Sequence, residues 1–425
     1  MLHFINMKDF GEKALNRFFR CQGRGGKSLE LLAAEGFEAE PVPGVLGAWR
    51  EVRGEFALGE SLAWYFGLIY IQDLASMLPP LLLGPGRGSA VLDMCAAPGG
   101  KSAQLADMVG EQGVVVANEP LQERLHTLRA NVSRLNLAQV VTTGYAGENF
   151  PELESGLDYI LVDAPCSGWG TALKNPEVHR LWTREKIRPL LDQQTALLDR
   201  AASLLAPGGT LVYSTCTTNE QENQEQIYRC LKEGHLEPSP KAAQMRENLG
   251  LPGLEQAGPG MLLFDGRQWG AHSFFLAALE KPRRDRDQGV KDFSRPRGWK
   301  AIDPGDLKIH NYPVQTGFYL FSGKVFLVPD AVLPYVHQGL KVRGFYAGKQ
   351  KKNKFLLHPR RRLFLDPELD PGYNATDPAE VRKILGGQSI VLSRPEKRDL
   401  TGFYWQGLPL GWLKVQKDRL FWSEK

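Results

Sequence analysis

The chain lacks what would tie it to a membrane, a disulfide framework or a structural metal. Its five cysteines, at positions 21, 95, 166, 216 and 230, are odd in number and form no C-x-x-C pair. That argues against zinc and against paired disulfides, so no metal is expected. Reduced thiols fit a cytoplasmic protein. No stretch approaches the roughly 18 apolar residues of a membrane span, and no membrane partner is expected. Met1-Leu-His-Phe-Ile-Asn shows no basic region followed by an apolar core and cleavage site, so no leader is expected. There is no P-loop, which weakens phosphate transfer as a function. Internal repeats and low-complexity tracts are also missing.

What is present is ordinary in composition and uneven in charge. At 425 residues the chain is long enough for two to four domains. The net charge of +4 hides an asymmetry: Lys281 to Arg362 holds 19 Lys and Arg against 6 Asp, a local +13, and leaves −9 elsewhere. A basic block beside a mildly acidic body suggests a polyanion partner for one part of the chain. Its clearest clusters are Lys349 to Lys354 and Arg360 to Arg362. A solvated basic face is the plain alternative.

Taken in order, residues 1–85 mix helix and strand signals, including a short amphipathic helix over Phe10 to Phe19. Gly67 to Met77 runs from a strand into a helix with Asp73 near its start. Gly84-Pro-Gly86-Arg-Gly88 marks a boundary. From Ala90 to about Glu280, strands and helices alternate, which predicts a parallel α/β sheet. Strands are expected at Val91, Val114, Val140, Tyr159, Thr210 and Ser273. A long helix over Ile187 to Leu205 should stop at Pro207-Gly-Gly. Lys281 to Arg297 reads as an exposed linker. Gly317 to Val328 reads as a hairpin turning on Ser322-Gly323, with further strands at Leu340 to Phe345 and Lys354 to Leu357. Asp366 to Gly372 reads as a second linker, followed by a small β-rich module. The resulting division is 1–85, 86–282, 298–366 and 377–425.

Three stretches carry chemistry. Cys95-Ala96-Ala97-Pro98-Gly99-Gly100-Lys101 follows a strand and opens a helix. It is not G-x-G-x-x-G, but small residues there let the backbone approach a ligand at a helix N-terminus. Glu119 ends the next strand, 20 residues after Gly99, where nucleotide-binding α/β folds place an acid for ribose hydroxyls. Asp163-Ala-Pro-Cys166 and Ser214-Thr-Cys216 each put a thiol where a strand ends. Thr217 with Glu220 has capping-box spacing, so a helix start beside Cys216 would favour its thiolate. Each cysteine alone is more simply a small apolar residue; the pairing at two strand ends makes that reading weaker. Paired thiols suit methylation at a pyrimidine C5: a thiolate adds at C6, C5 becomes nucleophilic, and a base then removes the C5 proton. Asp163 is placed to act near N3. The residues alone do not rank the two thiols.

The stretches Val91 to Lys101, Asp163 to Gly168 and Leu211 to Asn223, with Tyr70-Ile-Gln72-Asp73 upstream, resemble the motifs of the Sun-type (RsmB/NOP) RNA cytosine-5 methyltransferases. The resemblance covers about residues 65–280. It implies a Rossmann-like core that binds S-adenosyl-L-methionine through Cys95 to Lys101, Glu119 and Asp163, flanked by an N-terminal α/β extension. It assigns the nucleophile to Cys216 and product release to Cys166. Gly402-Phe-Tyr-Trp to Val415 resembles the PUA-like RNA-binding end of the RsmF-like branch, which modifies 16S ribosomal RNA. Residues 300–365 resemble the module before it. The implied partner is 16S rRNA or the small ribosomal subunit, and a monomer is expected. This chain departs from the pattern at Ala146, where an acid is usual, in a shortened N-terminal segment, and in stopping at Lys425, soon after Trp422, without the usual basic ending. A non-catalytic RNA-binding factor and a DNA cytosine-5 methyltransferase are the two other readings.

Overall fold

The computed structural model describes residues 16–424 except 24, 173–176, 179–183, 284–298, 308, 310, 314, 352–353 and 393–397. The linker expected over 281–297 lies almost wholly outside the described residues. Four sheets organise the rest.

The first sheet holds β1 (Phe18–Cys21), β2 (Glu38–Pro41), β3 (Ala48–Arg53) and β4 (Ile69–Ile71), in the order β2-β3-β1-β4. The amphipathic helix expected over Phe10 to Phe19 falls mostly outside the described residues. Where it reaches Phe18 and Phe19 it is wrong, because both side chains are buried in β1. Helix α1 (Gly26–Ala34) and the single turn α2 (Leu62–Tyr65) cover this sheet. Helix α3 (Leu74–Leu83) follows β4 and is capped by Asp73, whose Oδ1 accepts from Ala75 N at 2.9 Å.

The central sheet is built on five parallel strands in the order β7-β6-β5-β8-β9. They are β5 (Ala90–Asp93), β6 (Val114–Asn118), β7 (Val140–Thr143), β8 (Leu157–Asp163) and β9 (Leu205–Thr215). Val91, Leu92, Val114, Val115, Val116 and Ala117 are all buried. Continuous apolar runs of this kind form strands covered on both faces. The crossover helices α4 (Gly100–Val109), α5 (Gln122–Leu135) and α6 (Arg184–Leu204) supply that cover.

Two expectations need correction here. The sheet is mixed: β13 (Phe274–Glu280) runs antiparallel to β9, and β10 (Glu237–Pro238), β11 (Leu254–Gly258) and β12 (Met261–Phe264) extend that edge antiparallel. Pro207-Gly208-Gly209 does not separate helix from strand. It lies in a bulge of β9, between the pairs Leu157↔Leu205 and Tyr159↔Thr210.

The third sheet, β14 (Lys300–Ile302) to β18 (Lys354–Leu357), includes the expected hairpin, β15 (Thr316–Phe321) and β16 (Lys324–Pro329). Its turn residues Ser322 and Gly323 have φ of 47° and 73°, as a hairpin turn of this length requires. The strand expected at Leu340 is β17 (Phe345–Lys351) instead; upstream of it, Arg343 makes only an isolated bridge to Thr142 of β7. The fourth sheet holds β19 (Gly372–Ala375), β20 (Ile390–Val391), β21 (Leu400–Trp405), β22 (Leu408–Gln416) and β23 (Arg419–Phe421), in the order β19-β21-β22-β23-β20. Phe403 and Trp405 of this sheet, with Trp422 just past it, pack with Phe19 and Phe66 in one core, so the first and fourth sheets are joined.

Of Arg360 to Arg362, expected on a basic surface, Arg361 is buried and the other two are half-buried. The last carbonyls of α5 have no helical partner, and the guanidinium groups of Arg361 and Arg362 take them. Arg361 is fully buried: its Nη1 donates to Ser133 O (3.1 Å) and its Nε to Tyr346 O (2.6 Å). Arg362 donates to Leu135 O (3.2 Å) and to Phe66 O and Gly67 O (2.5 and 2.9 Å). Burial pushes Arg361 down to about 9. The charge stays because cations at a helix C-terminus are favoured. Replacing Arg361 by alanine should lower stability by about 1.5–3 kcal/mol for each charged hydrogen bond removed. Urea denaturation checks this; an unchanged midpoint would show that these bonds contribute nothing net.

Candidate active site at the carboxyl ends of the central strands

Strands β8 and β9 are parallel neighbours in a register that sets Asp163 beside Ser214. Three residues after Asp163 comes Cys166; two after Ser214 comes Cys216. Their Sγ atoms lie 3.2 Å apart. The two loops are tied together at Gly170, whose N–H donates to Cys216 O (2.9 Å) while its carbonyl accepts from Ser273 N (3.1 Å). A Cβ at Gly170 would lie 2.4 Å from Ser273 O and 2.8 Å from Cys216 O, so only glycine fits.

The two thiols are not equivalent. The Cys166 hydrogen bond holds Cys216 below the usual thiol range; burial and Asp163 oppose this, and the Lys101 ammonium supports it. Cys166 is pushed well up, first by that same hydrogen bond, then by burial and the negative Glu222. The expected cause, a helix N-terminus beside Cys216, is absent: α7 (Gln224–Lys232) starts eight residues later, and Thr217 Oγ1 accepts from Asn219 N in a turn. Burial pushes Cys21 up to about 12, Cys230 up to about 11 and Cys95 well up. None of these three is a ready nucleophile.

Asp163 faces the pair from the other side. Its Oδ2 accepts from Lys101 Nζ (2.6 Å) and its Oδ1 from Ser214 Oγ (2.8 Å). Burial pulls Lys101 down, but Asp163 more than offsets this and its ammonium is held. Lys101 belongs to the first turn of α4, which opens from the Cys95–Gly99 loop. That loop is held by its carbonyls: Arg124 Nη2 donates to Ala97 O (3.0 Å) and Asn131 Nδ2 to Pro98 O (2.9 Å). Gly99 has φ 111°, and a Cβ at Gly100 would strike the Tyr70 ring at 2.7 Å. Asp93, at the end of β5, is fully buried with Ser102 Oγ donating to it at 2.6 Å, and burial pushes it up to about 7.

Glu119 is buried just past β6; its Oε1 accepts from Leu121 N (3.0 Å) and its Oε2 pairs with Arg124 (3.3 Å). Ala146 sits in the loop after β7, where Tyr145 N donates to Asn118 Oδ1 (2.9 Å); its methyl group brings no carboxylate to the rim. Cys95 to Lys101, Glu119, Asp163, Cys166 and Cys216 thus gather on one rim. They flank the point where strand order reverses between β5 and β8, which is where open α/β sheets bind ligands. Sequence reasoning missed Ser214, Ser167, Gln194 and the role of Glu222. Of these, only Glu222 carries a signal in the sequence, and its spacing from Asn219 points to a helix cap instead.

Comparisons with known proteins agree with this geometry. Ribosomal RNA small subunit methyltransferase F of Serratia proteamaculans is 40% identical over 263 residues, covering 60% of this chain and 54% of the relative. The protein of the same name from Vibrio campbellii is 32% identical over 328 residues, covering 72% and 67%. The crystal structure of a methyltransferase homolog from Pyrococcus horikoshii, 31% identical, covers 64% of this chain and 88% of that one with a TM-score of 0.55. The chain spans about half the length of the first curated relatives it matches.

Sheet order and rim define the class: a Rossmann-like fold of the S-adenosyl-L-methionine-dependent methyltransferases. The 16S rRNA methyltransferase RsmB/F family model matches residues 80–280, and the chain belongs to that family. S-adenosyl-L-methionine is the cofactor of this fold, and the residues present fit it: a loop of small residues ending in Gly99-Gly100 at a helix N-terminus, with a buried acid one strand away.

The ion pair makes a prediction about the thiols. Lys101→Met removes the ammonium that favours the Cys216 thiolate and leaves Asp163 to oppose it. The midpoint of Cys216 alkylation against pH, followed by mass spectrometry, should therefore move up, with the reaction below the midpoint about tenfold slower per unit of rise. A midpoint that stays or falls would show that Lys101 does not act on the thiol.

Proposed function

We propose that the protein methylates C5 of cytosine in RNA, with 16S ribosomal RNA or the small ribosomal subunit as substrate. The observation that carries this is the thiol pair, 3.2 Å apart beside an Asp–Lys pair at two adjacent strand ends. RNA binding alone requires no such pair. Family membership and the names of the relatives support RNA of the small subunit as the target.

In this reading Cys95 to Lys101, Glu119 and Asp163 hold S-adenosyl-L-methionine, with Glu119 toward the ribose. The cofactor supplies an electrophilic methyl group. Cys216, as thiolate, adds to C6 of the base while Asp163 supports proton transfer at N3. That addition makes the C5–C6 bond single and leaves an enamine across C4–C5, so C5 takes the methyl group as its bond to the sulfonium sulfur breaks and a neutral thioether is left. Loss of the C5 proton lets the Cys216–C6 bond break, with Cys166 assisting release. Residues 86–282 form the catalytic unit; 1–85, 298–366 and the PUA-like 377–425 are assigned to RNA. Among the described residues no metal-binding cluster is found and no helix is long and apolar enough to cross a membrane.

The test is one of order. Cys216→Ala should abolish methylation of 16S rRNA. Cys166→Ala should accumulate a covalent protein–RNA complex that survives a denaturing gel, and the double variant should show none. If Cys216→Ala accumulates the complex, the roles are reversed and the DNA-type assignment returns. If neither change alters methylation, the chain is a binding protein.

The basic surface is also narrower than the sequence suggests. Register aligns Phe321 with Lys324, Lys324 with Lys349 and Lys349 with Leu356, and these residues are exposed on one face of the third sheet. Lys351 lies two positions along; Lys354 on this face pairs with Asp399. Neutralising Lys324, Lys349 and Lys351 should flatten the log–log salt dependence of RNA binding by about one unit for each phosphate left without a cation. An unchanged slope would make the face merely solvated.

A further inference from the structure

Glu222 is fully buried, and the reaction outlined above assigns it nothing. Its carboxylate accepts four hydrogen bonds. Oε2 takes Ser167 N (2.8 Å) and Gln194 Nε2 (3.0 Å); Oε1 takes Ser167 Oγ (2.5 Å) and Asn219 Nδ2 (3.3 Å). Ser167 directly follows Cys166. Gln194 also donates to Pro165 O (2.8 Å), the residue directly before it. The carboxylate thus holds the thiol's loop from both sides.

The next residue does the same for the other thiol. Asn223 Oδ1 accepts from Thr215 Oγ1 (2.6 Å) and its Nδ2 donates to Thr217 O (2.9 Å), which bracket Cys216. A burial this complete would be costly for a carboxylate without such partners. A purely structural acid could be replaced by packing; this one holds Ser167 directly and Pro165 through Gln194, the two chain neighbours of Cys166.

We propose that Glu222 is a positioning residue: through Ser167 and Gln194 it fixes Cys166 against Cys216, and its charge keeps the proton of the pair on Cys166. Asn223 is its counterpart on the Cys216 side. The inference rests on the proposed thiol chemistry but is tested without it.

The probe is iodoacetamide on the full chain without cofactor or RNA, with labelling of Cys166 and Cys216 quantified by peptide mass spectrometry. In the unmodified protein Cys216 should be labelled first. Glu222→Gln keeps the shape, loses the charge and turns one acceptor into a donor facing other donors. It should shift the Cys166-to-Cys216 labelling ratio toward Cys166 by about tenfold, the change expected for one unit of relative thiol acidity. Glu222→Asp, which keeps the charge, should restore part of the preference. A structural role alone would lower the melting temperature and leave the ratio unmoved. If Glu222→Gln does not fold, Ser167→Ala decides: it removes the hydroxyl bond and should move the ratio the same way by less. A folded variant with an unchanged ratio, or Cys166 labelled first in the unmodified protein, overturns the proposal. Failure to methylate RNA with the labelling pattern as described would sink the reading of function and leave this one standing.

Discussion

The site depends on one pairing, the parallel contact of β8 with β9. Parallel strands place their carboxyl ends on the same side of a sheet, and their register decides which residues meet there. Here it puts Asp163 beside Ser214. A shift of one residue would turn every side chain to the opposite face, and Ser214 could not donate to Asp163. The thiols, two and three residues further on, inherit that alignment. The antiparallel strand β13 completes the arrangement: Ser273, just before it, donates to Gly170 and locks the turn after Cys166.

The second constraint is where charge is buried. Three consecutive arginines would be expected to seek water, yet Arg361 is fully inside and Arg362 binds four backbone carbonyls. Those carbonyls belong to the end of α5 and the turn after α2, so these arginines tie the C-terminal modules to both the central and the N-terminal units through backbone acceptors. Arg134 reinforces the same place by donating to Trp64 O (2.6 Å). A mutual backbone bridge between Thr142 and Arg343 continues the contact at the β7 edge. The outer sheets are therefore fixed relative to the rim.

How far the sequence could be read follows from the range of each interaction. Strand ends at Asp163 and Thr215 are local: the first apolar run stops at a Pro/Gly turn and the second at the polar stretch Thr217-Thr-Asn-Glu220, so both thiols were legible. The Cys95–Lys101 loop and the Ser322-Gly323 turn were legible for the same reason. Partners far apart in the chain were not. Glu222 and Ser167 are 55 residues apart, and Arg361 and Ser133 are 228 apart, and no periodicity marks either. The capping box of Thr217 with Glu220 failed because Thr217 Oγ1 accepts from Asn219 N in a turn and the helix starts only at Gln224. A charge count treats lysines and arginines alike, although a guanidinium can serve several buried carbonyls at once where an ammonium cannot.

What separates two identical side chains is therefore their surroundings. In water, two neighbouring thiols would share a proton evenly. Here the hydrogen bond between them acts first, lowering Cys216 and raising Cys166; Lys101 adds to the first effect against burial and Asp163, and burial and Glu222 add to the second. The first favours an anion at Cys216; the second disfavours one at Cys166. The proton between them then has one preferred position, and the direction of the hydrogen bond follows from it. A thiolate that adds early and a thiol that acts late are what a two-step covalent reaction needs. The same asymmetry separates the two cysteines in acidity, which their positions in the chain cannot do.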